Sequence, residues 1–214
     1  MRLFVGLRPS DTFRTALSAV QCRLREAGVA AAYLDPSNLH LTLAFIGQWP
    51  DNIAGILPAV ERPFCLKLSH PGLFPEARVI WAGVEPSAEL NRLAEQVRST
   101  LREAEIPFDP KPFVPHITLG RKPAVPEGLR LSEIKIPPAV MTVTEVFLYR
   151  SDRGENGMVY SVIGSGAGKT EAFYSGCSHS GASAADGSDG SACSGAENSS
   201  VTISSALFSC SKDT

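Results

Sequence analysis

Two four-residue strings with the same pattern constrain this chain more than any other feature. They are His40-Leu41-Thr42-Leu43 and His116-Ile117-Thr118-Leu119, and in each a His and a Thr alternate with apolar residues. Residues two apart in a β-strand point to the same face, so each string predicts a strand with an aliphatic face and a His–Thr face. We therefore expect two strands that bury one side in a core and present polar groups on the other.

The same order of elements precedes both strings, which indicates a duplicated architecture. A strand and then a long helix come before each string, and the helices start at serine caps with apolar residues at helical spacing. The first unit has a strand at Arg2–Leu7 and a helix from Ser10 or Asp11 that carries Phe13, Leu17, Val20 and Leu24; the second has Val79–Val84 and a helix from Ser87 that carries Leu90, Leu93, Val97 and Leu101. This order predicts an α+β fold of two pseudo-symmetric lobes around a central cleft.

Further elements are predicted between and after the two units. The first string is expected in a strand over Asn38–Ile46, followed by a short helix around Asp51–Val60 and a strand at Phe64–Ser69. A closing hairpin is expected from Val143–Arg150 and Met158–Ile163, with its turn at Asp152–Gly157.

A change of composition near Gly164 predicts a domain over residues 1–164 and a tail over 165–214. Ser and Gly make up 21 of the 50 tail residues, and so little apolar surface cannot offset the entropy of ordering. We expect the tail to be disordered, apart from a loosely alternating stretch at Val201–Ser209. Gly164–Thr170 resembles a phosphate-binding loop, but Ile163 occupies the place of its first Gly, which favours a linker.

Charge and hydropathy exclude several classes of function. The net charge of −2 argues against non-specific binding to long nucleic acid. The chain has no apolar run of membrane-spanning length and no signal-peptide pattern, so we expect a cytoplasmic protein that does not bind a membrane. Five cysteines without CxxC spacing argue against structural zinc. We expect no metal and no cofactor.

Two imidazoles can divide the work of phosphoryl displacement between them. A neutral His removes a proton from the attacking oxygen, and an imidazolium protonates the leaving oxygen. Threonine hydroxyls donate hydrogen bonds to the non-bridging phosphate oxygens, where charge gathers in the transition state. The four candidate catalytic residues are His40, Thr42, His116 and Thr118.

At this point the chain resembles the 2H phosphoesterase superfamily, in its branch of RNA 2′,3′-cyclic phosphodiesterases, historically called 2′-5′ RNA ligases. The resemblance covers about residues 1–163 in family order. It rests on five segments: Arg2–Leu7, Asn38–Gly47, Phe74–Val84, Phe113–Arg121 and Leu148–Tyr160. It implies the bilobal 2H phosphoesterase fold.

The resemblance also implies an activity and its residue roles. The activity is metal-independent hydrolysis of 2′,3′-cyclic phosphate ends of RNA, including tRNA fragments, to 2′-phosphomonoesters, with 2′-5′ joining as the reverse. His40 would be the proton donor and His116 the proton acceptor. Thr42 and Thr118 would hold the phosphate oxygens, and Arg121 would add a cationic contact. We expect a monomer.

The chain departs from the family pattern beside the first motif. Relatives often carry Arg-Trp and a Glu where this chain has Ala32-Tyr33 and Ser37, so Tyr33 is the residue expected to stack on a base. Two alternatives stay open from the sequence. One is a non-catalytic module that binds nucleotides or RNA ends, and the other is a phosphodiesterase acting on small cyclic nucleotides or 2′-5′ oligonucleotides.

Overall fold

The computed structural model describes residues 1–155 and 157–166, which form a mixed α+β fold. None of the helices in these ranges is long and apolar enough to cross a membrane. The strands are β1 (Arg2–Leu7), β2 (Ala30–Tyr33), β3 (Leu41–Gln48), β4 (Phe64–Phe74), β5 (Val79–Val84), β6 (His116–Ala124), β7 (Val140–Val143), β8 (Val146–Gly154) and β9 (Gly157–Gly166), and the long helices are α1 (Asp11–Glu26) and α2 (Ala88–Glu103).

Both long helices begin where the sequence predicts. The Ser10 hydroxyl accepts a hydrogen bond from the Phe13 amide at the start of α1, and Ser87 does the same for Leu90 at the start of α2. Such caps satisfy backbone donors that have no partner within the helix. The predicted apolar positions are buried on each helix, so both helices contribute one face to the core.

The strands form one antiparallel sheet in the order β7-β4-β5-β6-β3-β1-β8-β9, with β2 added beside β6. The two strands that carry the His-x-Thr motifs, β3 and β6, are neighbours at the centre. Two matching halves extend outward from them, β3-β1-β8-β9 on one side and β6-β5-β4-β7 on the other. The predicted duplication is confirmed, since β1-α1-β3 and β5-α2-β6 take equivalent places.

Each long helix bonds to the half of the sheet that carries the other unit's motif. Gln21 of α1 donates hydrogen bonds of 2.9 Å to the carbonyl oxygens of Leu119 and Leu34. Arg98 of α2 donates to the carbonyl oxygens of Leu43 at 3.4 Å and Lys111 at 3.0 Å. Leu43 and Leu119 are the last residues of the two motifs. Each helix therefore supports the motif of the opposite half.

The segments after the helices cross in the same way. The chain after α1 pairs with β6, since β2 lies beside it and the Leu34 amide donates to the Leu119 carbonyl. The chain after α2 reaches β3, where the Asp109 amide donates to the Phe45 carbonyl at 2.8 Å. The two halves of the sheet are thus interlocked rather than placed side by side.

Some predicted elements differ from those observed. The short helix expected around Asp51–Val60 is limited to a three-residue 3-10 helix at Ala54–Ile56, which ends before Pro58. Strand β3 starts three residues later than predicted, because a 3-10 turn at Pro36–Asn38 capped by Asp35 precedes it. The sequence analysis also missed β2 and β7, each of only four residues.

The predicted tail is largely outside the residues that the structure describes. Strand β9 runs to Gly166, two residues beyond the boundary placed at Gly164. Disorder of the remaining tail, the stretch at Val201–Ser209 and the rest of the glycine-rich segment to Thr170 stay predictions.

The Gln21 contacts predict a measurable loss of stability. Gln21 is 3% exposed, so Gln21→Leu leaves two carbonyl oxygens without this donor inside the protein. We expect the free energy of unfolding to fall by about 1–3 kcal/mol. Urea unfolding measures it, with Gln96→Leu on the exposed face of α2 as the matched control, expected within about 0.5 kcal/mol of wild type. Equal losses in the two variants would contradict the role of Gln21.

Candidate active site

The predicted alternation of the two motifs is visible in their burial. The aliphatic residues of both motifs are buried in the core: Leu41, Ile117 and Leu119 are 0% exposed and Leu43 is 1% exposed. The polar residues that alternate with them are half-buried. The aliphatic residues therefore point into the core, and the His and Thr side chains lie on the opposite face of the sheet.

The two motifs meet at one point in the sheet, where Leu41 of β3 pairs with Ile117 of β6. By antiparallel geometry this pair brings Thr42 towards His116, and it brings His40, which directly precedes β3, towards Thr118. The two His–Thr pairs therefore lie diagonally around one centre. The positive charge of His116 also acts on His40 and lowers its pKa, as expected for neighbouring cations. The predicted convergence of the two motifs is supported by both observations.

Each imidazole is oriented by a backbone carbonyl two residues before it. The His40 Nδ1–H donates to the Asn38 carbonyl and the His116 Nδ1–H to the Val114 carbonyl, both at 2.8 Å. Because a carbonyl oxygen can only accept, Nδ1 carries the proton in both rings. In the neutral form each Nε2 is therefore the basic nitrogen that is left for a ligand.

Aromatic rings surround the two histidines unequally. The His40 ring lies 4.5 Å from the Phe4 ring, 4.8 Å from Tyr160 in an edge-on arrangement and 5.8 Å from Tyr149. The His116 ring contacts Phe74 edge-on at 4.9 Å, with Trp81 farther away at 6.4 Å. His40 thus sits in the more enclosed and more apolar position.

These surroundings lower the pKa of both imidazoles. Burial lowers the pKa of His40 from 6.5 to about 4, with smaller contributions from the charges of His116 and Arg121 and opposition from the bond to Asn38. Burial also lowers the pKa of His116, and its bond to Val114 opposes the shift. At pH 7 both imidazoles of the protein alone are neutral.

Two glycines make room on the walls of the site. A Cβ at Gly6, which pairs with Thr42, would lie 2.6 Å from the Leu41 carbonyl oxygen. A Cβ at Gly72 would lie 2.2 Å from the Trp81 ring, so the absent side chain lets this indole lie across β4. The Trp81 Nε1 is buried, and within the described ranges it has no hydrogen-bond partner.

The two weaker sequence candidates have different surroundings. Arg121 is exposed on β6, and its charge lowers the pKa of His40, so it acts on the site electrostatically. The Tyr33 hydroxyl donates to the Val29 carbonyl at 2.9 Å, and the Arg25 guanidinium lies 4.1 Å from the Tyr33 ring centre. Tyr33 is thus engaged in internal contacts, and stacking on a base stays a prediction.

Sequence reasoning expected Trp81 in the core or the cleft wall, but it did not assign Phe4, Phe74, Tyr149 or Tyr160 to the surroundings of the histidines. Two of the surrounding aromatic residues lie on β1 and β5 with the same spacing, Phe4-x-Gly6 and Trp81-x-Gly83. In each case the Gly pairs with a residue of a motif. That repeated aromatic-x-Gly signal was present in the sequence. Tyr149 and Tyr160 carried no local signal, because their contacts with the site depend on how distant strands pair, and the same holds for the bonds of the Asn38 side chain to β9.

The described residues contain no group of three or more His, Cys, Asp or Glu side chains placed to hold a metal ion. What the site offers is two neutral imidazoles with basic Nε2 atoms, two threonine hydroxyls and one nearby arginine. Such groups can receive an anion and transfer protons on either side of it.

An interlocked α+β fold whose two central strands each present a His-x-Thr pair defines a 2H phosphoesterase. The chain belongs to the 2′-5′ RNA ligase superfamily, whose family model matches residues 9–155. The resemblance predicted from the motifs is confirmed.

Similar proteins support the same family. The chain is 34% identical to an RNA 2′,3′-cyclic phosphodiesterase of Thermus thermophilus over 72% of this chain and 93% of that protein. It is 29% identical to the Thermotoga maritima protein of the same name over 76% and 93%. Among solved structures, Escherichia coli LigT complexed with 3′-AMP is 27% identical and covers 79% of this chain and 98% of its own, with a TM-score of 0.63.

The lowered pKa of His40 predicts a pH-dependent stability. Unfolded His40 takes up a proton near pH 6.5, whereas the folded residue resists protonation down to about pH 4. The contribution of His40 to the free energy of unfolding is thus fully present above pH 6.5. It is lost as the pH falls towards 4, by about 3 kcal/mol at most. Unfolding of wild type and His40→Asn at pH 7 and pH 4 should show a smaller loss in the variant. Identical pH dependence would contradict the burial of His40.

Proposed function

We propose that this protein hydrolyses 2′,3′-cyclic phosphate ends of RNA to 2′-phosphomonoesters. The observation that carries the proposal is a pair of imidazoles, that of His40 directly before β3 and that of His116 at the start of β6. Each is fixed at Nδ1, and each lies two residues before a threonine. The relatives named RNA 2′,3′-cyclic phosphodiesterase support this hydrolase activity for the chain.

The two imidazoles act on opposite sides of the phosphorus atom. Neutral His116 accepts a proton at Nε2 from the attacking water, whose oxygen forms the new bond to phosphorus. The bond from phosphorus to O3′ breaks, and His40 delivers a proton from Nε2 to O3′. One proton enters at His116 and one leaves from His40, so their exchange through solvent restores the enzyme for the next turnover.

The low pKa of His40 constrains how it becomes an acid. In the protein alone the residue is neutral at pH 7, so a proton has to enter with the substrate. The phosphodiester anion favours the imidazolium form, and its effect is large where few water molecules screen the charge. The enclosed position of His40 therefore makes its protonation responsive to substrate.

Thr42 and Thr118 complete the phosphate site. Their hydroxyls lie on the same face as the imidazoles and donate hydrogen bonds to the non-bridging oxygens, where negative charge increases in the transition state. Arg121 supplies a further positive charge from the exposed end of the site. With a 5′-hydroxyl of a second RNA end in place of the attacking water, the same two proton transfers would join RNA ends: the 5′-oxygen bonds to phosphorus, the bond to O3′ breaks, and a 2′-5′ linkage with a free 3′-hydroxyl results.

Substitution of the four motif residues tests the mechanism. We expect His40→Ala and His116→Ala each to lower kcat by several orders of magnitude, and Thr42→Ala or Thr118→Ala by about 10²–10³-fold per lost donor. The measurement is conversion of an RNA oligonucleotide with a 2′,3′-cyclic phosphate, with EDTA present and the product monoester identified. Thr142→Ala, at an exposed Thr on β7, is the matched control.

Three results of that assay would contradict the proposal. Near-native rates in either His variant would contradict the assignment of His40 as the acid and His116 as the base. Loss of wild-type turnover in EDTA, restored only by a divalent ion, would remove the metal-independent mechanism. Tight binding of the RNA without turnover would favour a binding module, and turnover confined to a mononucleoside 2′,3′-cyclic phosphate would favour a small substrate.

The lowered pKa values of the two histidines predict that the pH optimum of kcat/KM is shifted to acidic pH. The profile of kcat/KM reports the free enzyme, in which one imidazole has to be protonated and the other neutral. Since the pKa of each is below 6.5, the maximum should fall below pH 6.5. The profile of kcat should lie at higher pH, because bound phosphate raises both pKa values. Coincident profiles centred above pH 7 would contradict the lowered values.

A further inference from the structure

Two asparagines flank strand β3 and both bind strand β9, which lies three strands away in the sheet. Before β3, the Asn38 side-chain amide donates to the Met158 carbonyl at 3.0 Å, and its Oδ1 accepts from the Tyr160 amide at 3.3 Å. After β3, the Asn52 amide donates to the Ile163 carbonyl at 3.1 Å. The two side chains thus bind β9 at two places, one near its start and one past its middle.

Only one of these two asparagines touches the candidate active site. The backbone carbonyl of Asn38 accepts the Nδ1–H bond of His40, while its side chain bonds to the backbone of Tyr160. The Tyr160 ring in turn lies edge-on against the His40 ring. Asn38 therefore contacts the imidazole and also holds the strand that covers it.

We propose that Asn38 is a positioning residue for His40, whose side chain fastens β9 so that Tyr160 encloses the imidazole held by the Asn38 carbonyl. We call the two side-chain bonds to Met158 and Tyr160 the Asn38 bridge. The catalytic consequence rests on the proposed function, but the enclosure of His40 is a property of the protein alone.

The second motif has no equivalent side chain at this place. Its carbonyl partner, Val114, has an aliphatic side chain that is 47% exposed and cannot form such a bridge. The rings beside His116, Phe74 and Trp81, lie instead on β4 and β5, strands of its own half of the sheet. The Asn38 bridge thus accounts for the contribution of Tyr160 to the unequal enclosure of two imidazoles that are otherwise oriented alike.

The difference matters for the division of roles. An imidazole enclosed by Phe4, Tyr149 and Tyr160 keeps its proton only when an anion lies beside it. Opening of β9 at Met158 and Tyr160 would admit water to His40 and weaken this dependence. Asn38 consequently sets how strongly the proton on His40 is coupled to bound phosphate.

The test is an NMR titration of the histidine rings in the full chain, comparing wild type, Asn38→Ala and Asn52→Ala. Asn38→Ala retains the backbone carbonyl that binds Nδ1 and removes only the Asn38 bridge. We expect the pKa of His40 to rise from about 4 by about one unit or more in Asn38→Ala and to be unchanged in Asn52→Ala. The pKa of His116 should follow wild type in both variants.

Two outcomes would overturn the proposal. One is an unchanged His40 pKa in folded Asn38→Ala, and the other is an equal rise in Asn52→Ala, which would mean a general loosening of β9. If Asn38→Ala does not fold, Asn38→Ser removes the bridge with a smaller loss of polarity and is judged by the same criteria. Tyr160→Leu should reproduce the rise in the presence of Asn38.

Kinetics give the second readout. In Asn38→Ala the acid limb of kcat/KM should move to higher pH together with the His40 pKa, and kcat should fall by about 10–100-fold through misplacement of the acid. Asn52→Ala should retain the wild-type limb. If the wild-type protein hydrolyses no cyclic phosphate, the proposed function fails while the NMR titration still decides the role of Asn38.

Discussion

The pairing of Leu41 with Ile117 is the contact on which the rest of this structure depends. It joins the two halves of the sheet, and it sets the register that brings each His across from the other motif's Thr. Both side chains are fully buried, which stabilises the fold by about 1.5–3 kcal/mol each. A shift of one residue in this pairing would turn the His–Thr pair of one strand into the core and separate it from the other pair. The hydrophobic requirement on one face thus fixes the chemistry on the other.

Much of the fold could be predicted from the sequence, because the patterns that indicate its helices and strands are local. The caps at Ser10 and Ser87, the apolar spacing on both helices and the alternation in the motifs depend on neighbours in the chain. The crossed bonds of Gln21 and Arg98 could not be read, since a glutamine in a helix carries no mark of the distant carbonyl it binds. The four-residue strands β2 and β7 exist only through their partners.

The candidate site likewise has some features that the sequence predicts and others that it does not. Its four central residues follow from a repeated pattern, and the structure brings both pairs to one face. The environment that distinguishes the two imidazoles comes from rings on separate strands: Phe4, Tyr149 and Tyr160 beside His40, and Phe74 beside His116. Identical motifs can therefore take different roles, because the pKa of each imidazole depends on its own surroundings as well as on residue type.

Each long helix bonds to the opposite half of the sheet. The chain therefore has the arrangement of a domain-swapped dimer whose two protomers are joined in one polypeptide. A half-length chain with one strand, one helix and one motif could form the same core only by exchanging helices with a second copy. Strict two-fold symmetry in that dimer would give both histidines the same surroundings and the same proton affinity. Covalent joining of the halves removes the symmetry requirement, so that each half can have its own sequence. An acid and a base can then be made from a single repeated motif.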